Sequence, residues 1–179
     1  NLEKIKLGGA AALTASIATI VHGVNVAVYY SAGVILAGVI VAVVAAGTVS
    51  KDVVGRVSAW PFRVHVVDEA EKYDAMRAAT AALATSGTVS TELALAGAPM
   101  VIAYKIGGVS YQLMKRLVTA EHITLFNIAA GERIAPEFIQ GEASAEKLAA
   151  AVGRLLNDPE AAADQARRQT AALDLMGRG

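Results

Sequence analysis

The stretch ALATSGTVSTELALAGAPMVIAYK, residues 82–105, decides how this chain folds. It begins with an apolar run, turns at Ser86-Gly87-Thr88 and continues into a helix-like segment. After Pro99 a second apolar run follows, and we expect it to be a strand. A strand, a helix and a second strand in this order predict a βαβ unit and therefore a parallel sheet.

The same alternation continues on both sides of this stretch. Upstream, we predict a strand over 63–67 and a helix over 68–80 with Asp68 as its cap. Downstream, we predict a helix over 109–120, a short strand or extended loop over 123–127, and helices near 144–156 and 159–175. Residues 51–179 are therefore expected to form an α/β domain.

The composition excludes several classes of protein. The 179 residues carry 16 basic and 16 acidic side chains, so the formal net charge is zero. A nucleic-acid-binding protein needs a basic surface, and we expect no nucleic-acid partner. The chain has no cysteine, which excludes disulfides, thiolate metal sites and cysteine nucleophiles. Its three histidines lie far apart without ligand spacing, and we expect no metal site.

Residues 1–50 differ from the rest of the chain in charge. They hold three charged side chains, Glu3, Lys4 and Lys6, and the other 29 lie in 51–179. Because a membrane-spanning helix needs about 20 apolar residues, we predict a membrane hairpin of two helices over about 8–28 and 31–48. The soluble alternative is an α-β-α start of the sheet, with a helix over 9–21, the strand VNVAVYY over 24–30 and a helix over 32–46 capped by Ser31.

The turn at Ser86-Gly87-Thr88 is a candidate ligand site, because open α/β sheets bind ligands beyond the carboxyl ends of their strands. Gly87 allows close backbone approach, and the helix start offers N–H groups to a phosphate. Glu92 lies four residues after Thr88, on the same helix face, where it can accept hydrogen bonds from two ribose hydroxyls. The pattern indicates a nucleotide site; in the alternative, Ser86 or Thr88 only caps the helix and Glu92 faces water.

Three linked segments of this sequence resemble the C-terminal half of the lipid-A-disaccharide synthase family. They are HVVDEAEKYDAMRAATAALATSGT (65–88), SGTVSTELALAGAPMVIAYK (86–105) and ITLFNIAAGERIAPEFIQ (123–140). The last is similar to the family's stretch of Asn, then Ala-Gly, then Pro-Glu-x-x-Gln. The resemblance covers about 52–175 and implies a Rossmann-like C-terminal lobe of a GT-B type glycosyltransferase.

The resemblance also implies a reaction and a set of binding residues. The family transfers 2,3-diacylglucosamine from its UDP-linked form to 2,3-diacylglucosamine 1-phosphate and releases UDP, without a metal or other cofactor. It implies that Ser86, Gly87 and Thr88 meet the diphosphate, Glu92 the ribose and Asn127 the donor site. Glu137 and Gln140 are expected to line the same cleft. In the alternative, Asn127 is a turn residue, Glu137 a helix-start charge and Gln140 solvent-exposed.

Two parts of the family pattern are not found in this sequence. They are the N-terminal lobe, which carries the acceptor site and a catalytic acidic residue, and a Gly-Ser-Arg turn. The catalytic residue therefore stays unknown, and we expect a donor-binding half that is inactive alone. The other hypothesis is a non-catalytic, membrane-anchored α/β module with a vestigial nucleotide site. The resemblance also implies a place at the cytoplasmic face of a bacterial inner membrane, contact with lipid and a possible homodimer.

Overall fold

The computed structural model describes residues 33–37, 40–44, 54–55, 57–58, 64–85, 87–105 and 121–177, the first two ranges by their backbone. The strands in this part of the chain are β1 (Gly33–Ala37), β2 (Ile40–Val44), β3 (Val64–Val67), β4 (Ala81–Ala84), β5 (Met100–Tyr104) and β6 (Glu137–Ile139). The helices are α1 (Lys72–Arg77), α2 (Thr88–Leu95), α3 (Leu125–Ala130), α4 (Ala145–Asn157) and α5 (Pro159–Met176). A short 3-10 turn, Gln140–Glu142, follows β6.

The six strands form one sheet in the order β3-β2-β1-β4-β5-β6. The pairs β2–β3, β4–β5 and β5–β6 are parallel, as predicted. Strand β1 is antiparallel to both of its neighbours, β2 and β4, which the sequence did not predict. Because β2 and β4 both oppose β1, the strands from β2 to β6 point the same way, and their carboxyl ends meet at one edge of the sheet.

The first two strands correct the prediction for the apolar segment. The helix predicted over 31–48 and the alternative helix over 32–46 are both wrong at 33–37 and 40–44, where the backbone forms paired strands. An uninterrupted apolar run is typical of a strand with neighbours on both sides as well as of a buried helix, and β-branched valine and isoleucine favour the strand. The helix over 8–28 or 9–21 and the strand over 24–30 lie outside the described residues.

Most of the other predicted elements are confirmed. Strands β3, β4 and β5 and helices α1, α2, α4 and α5 fall within or close to their predicted ranges. The strand or extended loop predicted over 123–127 is wrong, since α3 begins at Leu125 and ends at Ala130, where the next residue, Gly131, has a left-handed φ of 65°. The predicted helix over 109–120 lies outside the described residues. Strand β6 was not predicted.

Helices cover both faces of β4 and β5. On one face, Leu83 and Val101 pack with Leu148 and Val152 of α4. On the other, residues of alternate register pack against the remaining helices, namely Ala82, Ala84, Met100 and Ile102 with Met76 of α1, Leu93 of α2, Phe126 of α3 and Ala172 of α5. This alternation buries β4 and β5 on both sides, which is why their sequences are almost wholly apolar.

Helix α5 closes the amino end of β5 with buried amides. The Gln165 amide donates to the Met100 carbonyl at 2.6 Å, and the Gln169 amide donates to the Ala98 carbonyl at 3.4 Å. None of the helices in the described part of the chain combines the length and the apolar composition needed to cross a bilayer.

Candidate nucleotide site

Helix α2 begins at a glycine whose backbone conformation other residues rarely adopt. Gly87 has φ 127° and ψ −154°, and it follows β4 at the carboxyl edge of the sheet. Its carbonyl accepts hydrogen bonds from the Ser90 backbone N–H at 3.2 Å and the Ser90 hydroxyl at 2.7 Å. Thr88 is exposed, and no side chain in the described residues caps α2. The first N–H groups of α2 therefore have no side-chain acceptor there; Ser86 lies outside the described residues.

Glu92 lies one turn into α2 and contacts α1. Its Oε1 accepts hydrogen bonds from Lys72 Nζ at 2.9 Å and from the Tyr73 hydroxyl at 3.0 Å. Its side chain is 17% exposed, so it does not stand in open water. Lys72 Nζ also bonds Glu69 Oε1 at 3.0 Å. The hydrogen bond to Glu92, and then that to Glu69, raise the pKa of the Lys72 ammonium above its usual range.

Sequence reasoning missed Lys72 and Tyr73 as partners of Glu92. They precede it by 20 and 19 residues, and no spacing rule connects residues on two different helices. The only local signal is that both lie in the first turn of a helix that follows a parallel strand, where functional residues of α/β sheets often lie.

Asn127 is fully buried in α3 and bonds its own loop. Its Oδ1 accepts from the backbone N–H groups of Ile134 at 2.9 Å and Ala135 at 3.1 Å. Its Nδ2 donates to the Ala135 carbonyl at 3.0 Å. Asn127 thus fixes the backbone that enters β6, much as the alternative of a turn residue supposed, although its partners are seven and eight residues away.

Glu137 is the first residue of β6, and its side chain is 1% exposed. Its Oε1 accepts from the Thr124 backbone N–H at 2.8 Å and the Thr124 hydroxyl at 2.6 Å, while the Ile123 N–H lies 3.2 Å from both carboxylate oxygens. His122 Nδ1 lies 3.7 Å from Oε2 and is buried without a hydrogen bond in the described part of the chain. Glu137 therefore binds the N–H groups at the start of α3. The alternative interpretation places it at the start of its own helix, but it lies in β6.

Gln140 follows β6 at the same edge of the sheet as Gly87. It is half-buried and has a φ of 54°, a left-handed conformation that is uncommon for a residue with a side chain. In the strand register Glu137 lies level with Ile102, which lies level with Ala84 at the end of β4. The loops after β4 and β6 therefore leave the sheet on the same side.

The structure thus divides the predicted residues into two groups. Gly87, Thr88 and Glu92 lie together at the start of α2, with Gln140 on the same sheet edge. Asn127 and Glu137 bond mainly backbone groups of the chain and hold α3 and the segment before β6 in place.

Comparison with known proteins shows the family to which the chain is similar. A family model described as Lipid-A-disaccharide synthetase matches residues 56–178. The lipid-A-disaccharide synthase of Paramagnetospirillum magneticum is 43% identical over 134 residues, which cover 74% of this chain and 34% of that protein. That of Rhodospirillum centenum is 42% identical over 132 residues, or 73% of this chain and 33% of the relative. That of Geobacter sulfurreducens is 52% identical over 87 residues, which cover 49% of this chain and 23% of that protein.

The alternation of strands and helices around a largely parallel sheet is that of a Rossmann-like lobe of the GT-B type of glycosyltransferase. Within that type, the chain belongs to the lipid-A-disaccharide synthase family. The family match includes all the predicted site residues. The chain spans about a third or less of the length of these relatives.

Proposed function

We propose that this chain binds the UDP-linked donor of the glycosyltransferase reaction that forms the lipid A disaccharide. The donor is UDP-2,3-diacylglucosamine, the acceptor is 2,3-diacylglucosamine 1-phosphate, and UDP is released. Support comes from membership of the family and from the names of its relatives. The observation that carries the proposal is the start of α2, where Gly87, Thr88 and Glu92 lie at the carboxyl edge of the sheet.

The start of α2 has the chemistry that a diphosphate needs. A helix N-terminus presents backbone N–H groups and the positive end of its dipole, and both favour phosphate. Gly87 has no side chain to obstruct the approach, and an added Cβ would meet no atom within 4 Å in the described structure. The same groups would stabilise the negative charge that develops on UDP as it leaves. We propose that Glu92, one turn further on, accepts a ribose hydroxyl.

Gln140 is proposed to contribute from the loop after β6. A side chain held at φ 54° costs about 1–3 kcal/mol unless the surroundings stabilise it, and such conformations cluster at binding sites. Glycine adopts this φ freely, so Gln140→Gly removes the side chain without straining the backbone. We therefore expect this variant to fold normally and to bind UDP more weakly than the wild type.

Calorimetric titration of the purified chain with UDP and with UMP tests the proposal. We expect saturable binding of both and tighter binding of UDP, because only UDP brings a second phosphate to the start of α2. Gln140→Gly should weaken binding of both nucleotides. The exposed Glu146→Gln, in the first turn of α4, is the matched control and should bind as the wild type does. Equal affinity for UDP and UMP, or no binding by a folded chain, would contradict the proposal.

We propose further that transfer to the acceptor needs residues beyond the 179 of this chain. The relatives that carry the enzyme's name are about three times as long as the segment they share with it. In an assay with both lipid substrates, we expect the chain alone to release no UDP. Turnover by the purified 179-residue chain would overturn this part.

A place at the cytoplasmic face of the bacterial inner membrane is also proposed, because both substrates carry acyl chains. Leu125 and Ile128 of α3 are 48% and 49% exposed, which supports contact with a lipid surface. Co-sedimentation with vesicles of bacterial phospholipid tests this. A Leu125→Ser, Ile128→Ser double variant should bind vesicles more weakly, whereas the Leu175→Ser control at the end of α5 should not. Equal vesicle binding by the wild type, the double variant and the Leu175→Ser control would contradict contact of α3 with lipid.

A second candidate is a non-catalytic α/β module with a vestigial nucleotide site. One observation favours it: Glu92 Oε1, Asn127 and Glu137 all bond groups of the chain itself, as purely structural residues do. The titration separates the candidates, since a vestigial site predicts a folded chain that binds neither nucleotide.

A further inference from the structure

Three side chains from two helices form one hydrogen-bonded cluster beside the start of α2. Lys72 Nζ and the Tyr73 hydroxyl both donate to Glu92 Oε1, at 2.9 and 3.0 Å. Lys72 Nζ also lies 4.9 Å from the centre of the Tyr73 ring, so the ammonium and the ring hold each other. The exposed Glu69 accepts a further hydrogen bond from Lys72 at 3.0 Å.

The two oxygens of Glu92 are used unequally. Oε1 receives two donors, whereas Oε2 has no partner within the described structure. The side chains of Lys72 and Glu92 are only 15% and 17% exposed, so this ion pair is partly shielded from water, whereas Tyr73 and Glu69 are exposed. A carboxylate bound at one oxygen by two fixed donors loses its freedom to rotate, and its second oxygen keeps a defined direction.

We infer that Lys72 and Tyr73 are positioning residues that hold Glu92 by Oε1 so that Oε2 is left to accept a hydroxyl of a nucleotide's ribose. The inference rests on the proposed function and deepens it, because it names the atom that recognises the sugar. It also assigns the site a preference for ribonucleotides over their deoxy forms. A site built to hydrogen-bond a hydroxyl rejects the analogue that lacks it, since the polar group is then left unpaired.

The raised pKa of Lys72 supports this arrangement, since the ammonium stays charged at all physiological pH values. Among the described residues, the other ionisable groups bonded within the cluster are Glu69, which accepts from Lys72, and Tyr73 itself. With one cation between two carboxylates, the cluster keeps a net negative charge, which suits a hydroxyl donor and disfavours a phosphate at the same position.

The test compares the affinities of the complete chain for UDP, 2′-deoxy-UDP and 3′-deoxy-UDP. We expect the wild type to bind UDP about tenfold more tightly than at least one deoxy analogue, the range for a hydrogen bond to a charged group. Glu92→Ala should abolish this preference. Lys72→Met and Tyr73→Phe should reduce it at least threefold, and Lys72→Arg, which restores a cation, should recover part of it.

Two comparisons separate positioning from a merely structural role. A structural defect lowers the affinity for all three nucleotides alike and leaves their ratio unchanged, whereas loss of positioning changes the ratio. Arg77→Met is the matched control, because Arg77 lies on α1 but pairs with the exposed Asp74 away from Glu92. The melting temperature of each variant shows that it is folded.

The outcomes also separate this inference from the proposed function. A wild type that binds no UDP overturns both. A wild type that binds UDP and its deoxy analogues equally overturns the inference and leaves UDP binding standing. A preference that Glu92→Ala abolishes, but that Lys72→Met and Tyr73→Phe retain in full, assigns the ribose to Glu92 and overturns the positioning role.

Discussion

The Glu137 carboxylate accepts both the backbone N–H and the hydroxyl of Thr124, at 2.8 and 2.6 Å, and so joins the first residue of β6 to the start of α3. Glu137→Ala leaves these buried donors unpaired, and we expect the free energy of unfolding to fall by about 3 kcal/mol. Urea unfolding measures this. Glu142→Ala, which removes an exposed partner of Lys147, is the control and should change stability by less than about 1 kcal/mol. Similar losses in the two variants would contradict a structural role for Glu137.

Asn127 connects α3 to the segment before β6 through three hydrogen bonds. Asn127→Ala leaves one buried carbonyl and two N–H groups without this partner, and we expect a loss of about 2 kcal/mol. Asn157→Ala removes an exposed amide that bonds Gly153 one turn away, and it should cost less than about 0.5 kcal/mol. Thermal unfolding of both variants tests this. A stable Asn127→Ala chain that fails to bind UDP would instead mark Asn127 as a direct ligand.

Gly87 has a backbone conformation that is almost confined to glycine. We expect Gly87→Ala to lower the free energy of unfolding by about 1–3 kcal/mol through strain, because an added Cβ meets no atom within 4 Å and steric overlap contributes nothing. Gly141→Ala is the control, since Gly141 has open space around it and no positive φ. Equal stability of the two variants would show that the turn relaxes without cost.

The ammonium of Lys72 makes the stability of the chain depend on pH in a predictable direction. Hydrogen bonds to Glu92 and Glu69 raise its pKa in the folded state above the ordinary lysine value of about 10.5. A group whose pKa rises on folding contributes its stability in full below the unfolded pKa and loses it as the pH climbs towards the folded value. The difference in unfolding free energy between wild type and Lys72→Met should therefore be constant up to about pH 9 and shrink above about pH 10.5. A difference that falls already between pH 6 and pH 9 would contradict this.

Local patterns predicted the centre of the fold because the signals there are local. The apolar run of β4, the small polar turn, the helix and the restart at Pro99 each follow from residues within one element. Strands β1 and β2 were missed for the opposite reason. Their sequences, GVILA and IVAVV, lack the alternation that marks a half-exposed strand, and a long apolar run fits a membrane helix equally well.

A signal for the hairpin was nevertheless present. Only two residues separate β1 from β2 in the sequence, and the first is Gly38, a composition favoured in two-residue hairpin connections. Pairing with β4, more than 40 residues further along, decides the outcome, and no local window contains it.

For the candidate site, the sequence predicted which residues to consider but not their hydrogen-bond partners. Thr88 and Glu92 were predicted to share a helix face because they lie four residues apart, directly after the turn at Gly87. The donors on Glu92 come from another helix, and the groups held by Asn127 and Glu137 lie 7 to 14 residues away across a turn. Such contacts depend on how the helices and strands pack together, and no short window of the sequence contains that information.

The buried amides of α5 join the last described helix to the middle of the sheet. Gln165 bonds Met100 across 65 residues, and Gln169 bonds Ala98 across 71. The amino end of β5, a strand inside the sheet, is therefore completed by the last helix to be synthesised among those described. During synthesis β4, α2 and β5 leave the ribosome before α5, so the Ala98 and Met100 carbonyls lack these amide partners until α5 packs. We expect substitutions of Gln165 or Gln169 to slow the folding of β4, α2 and β5.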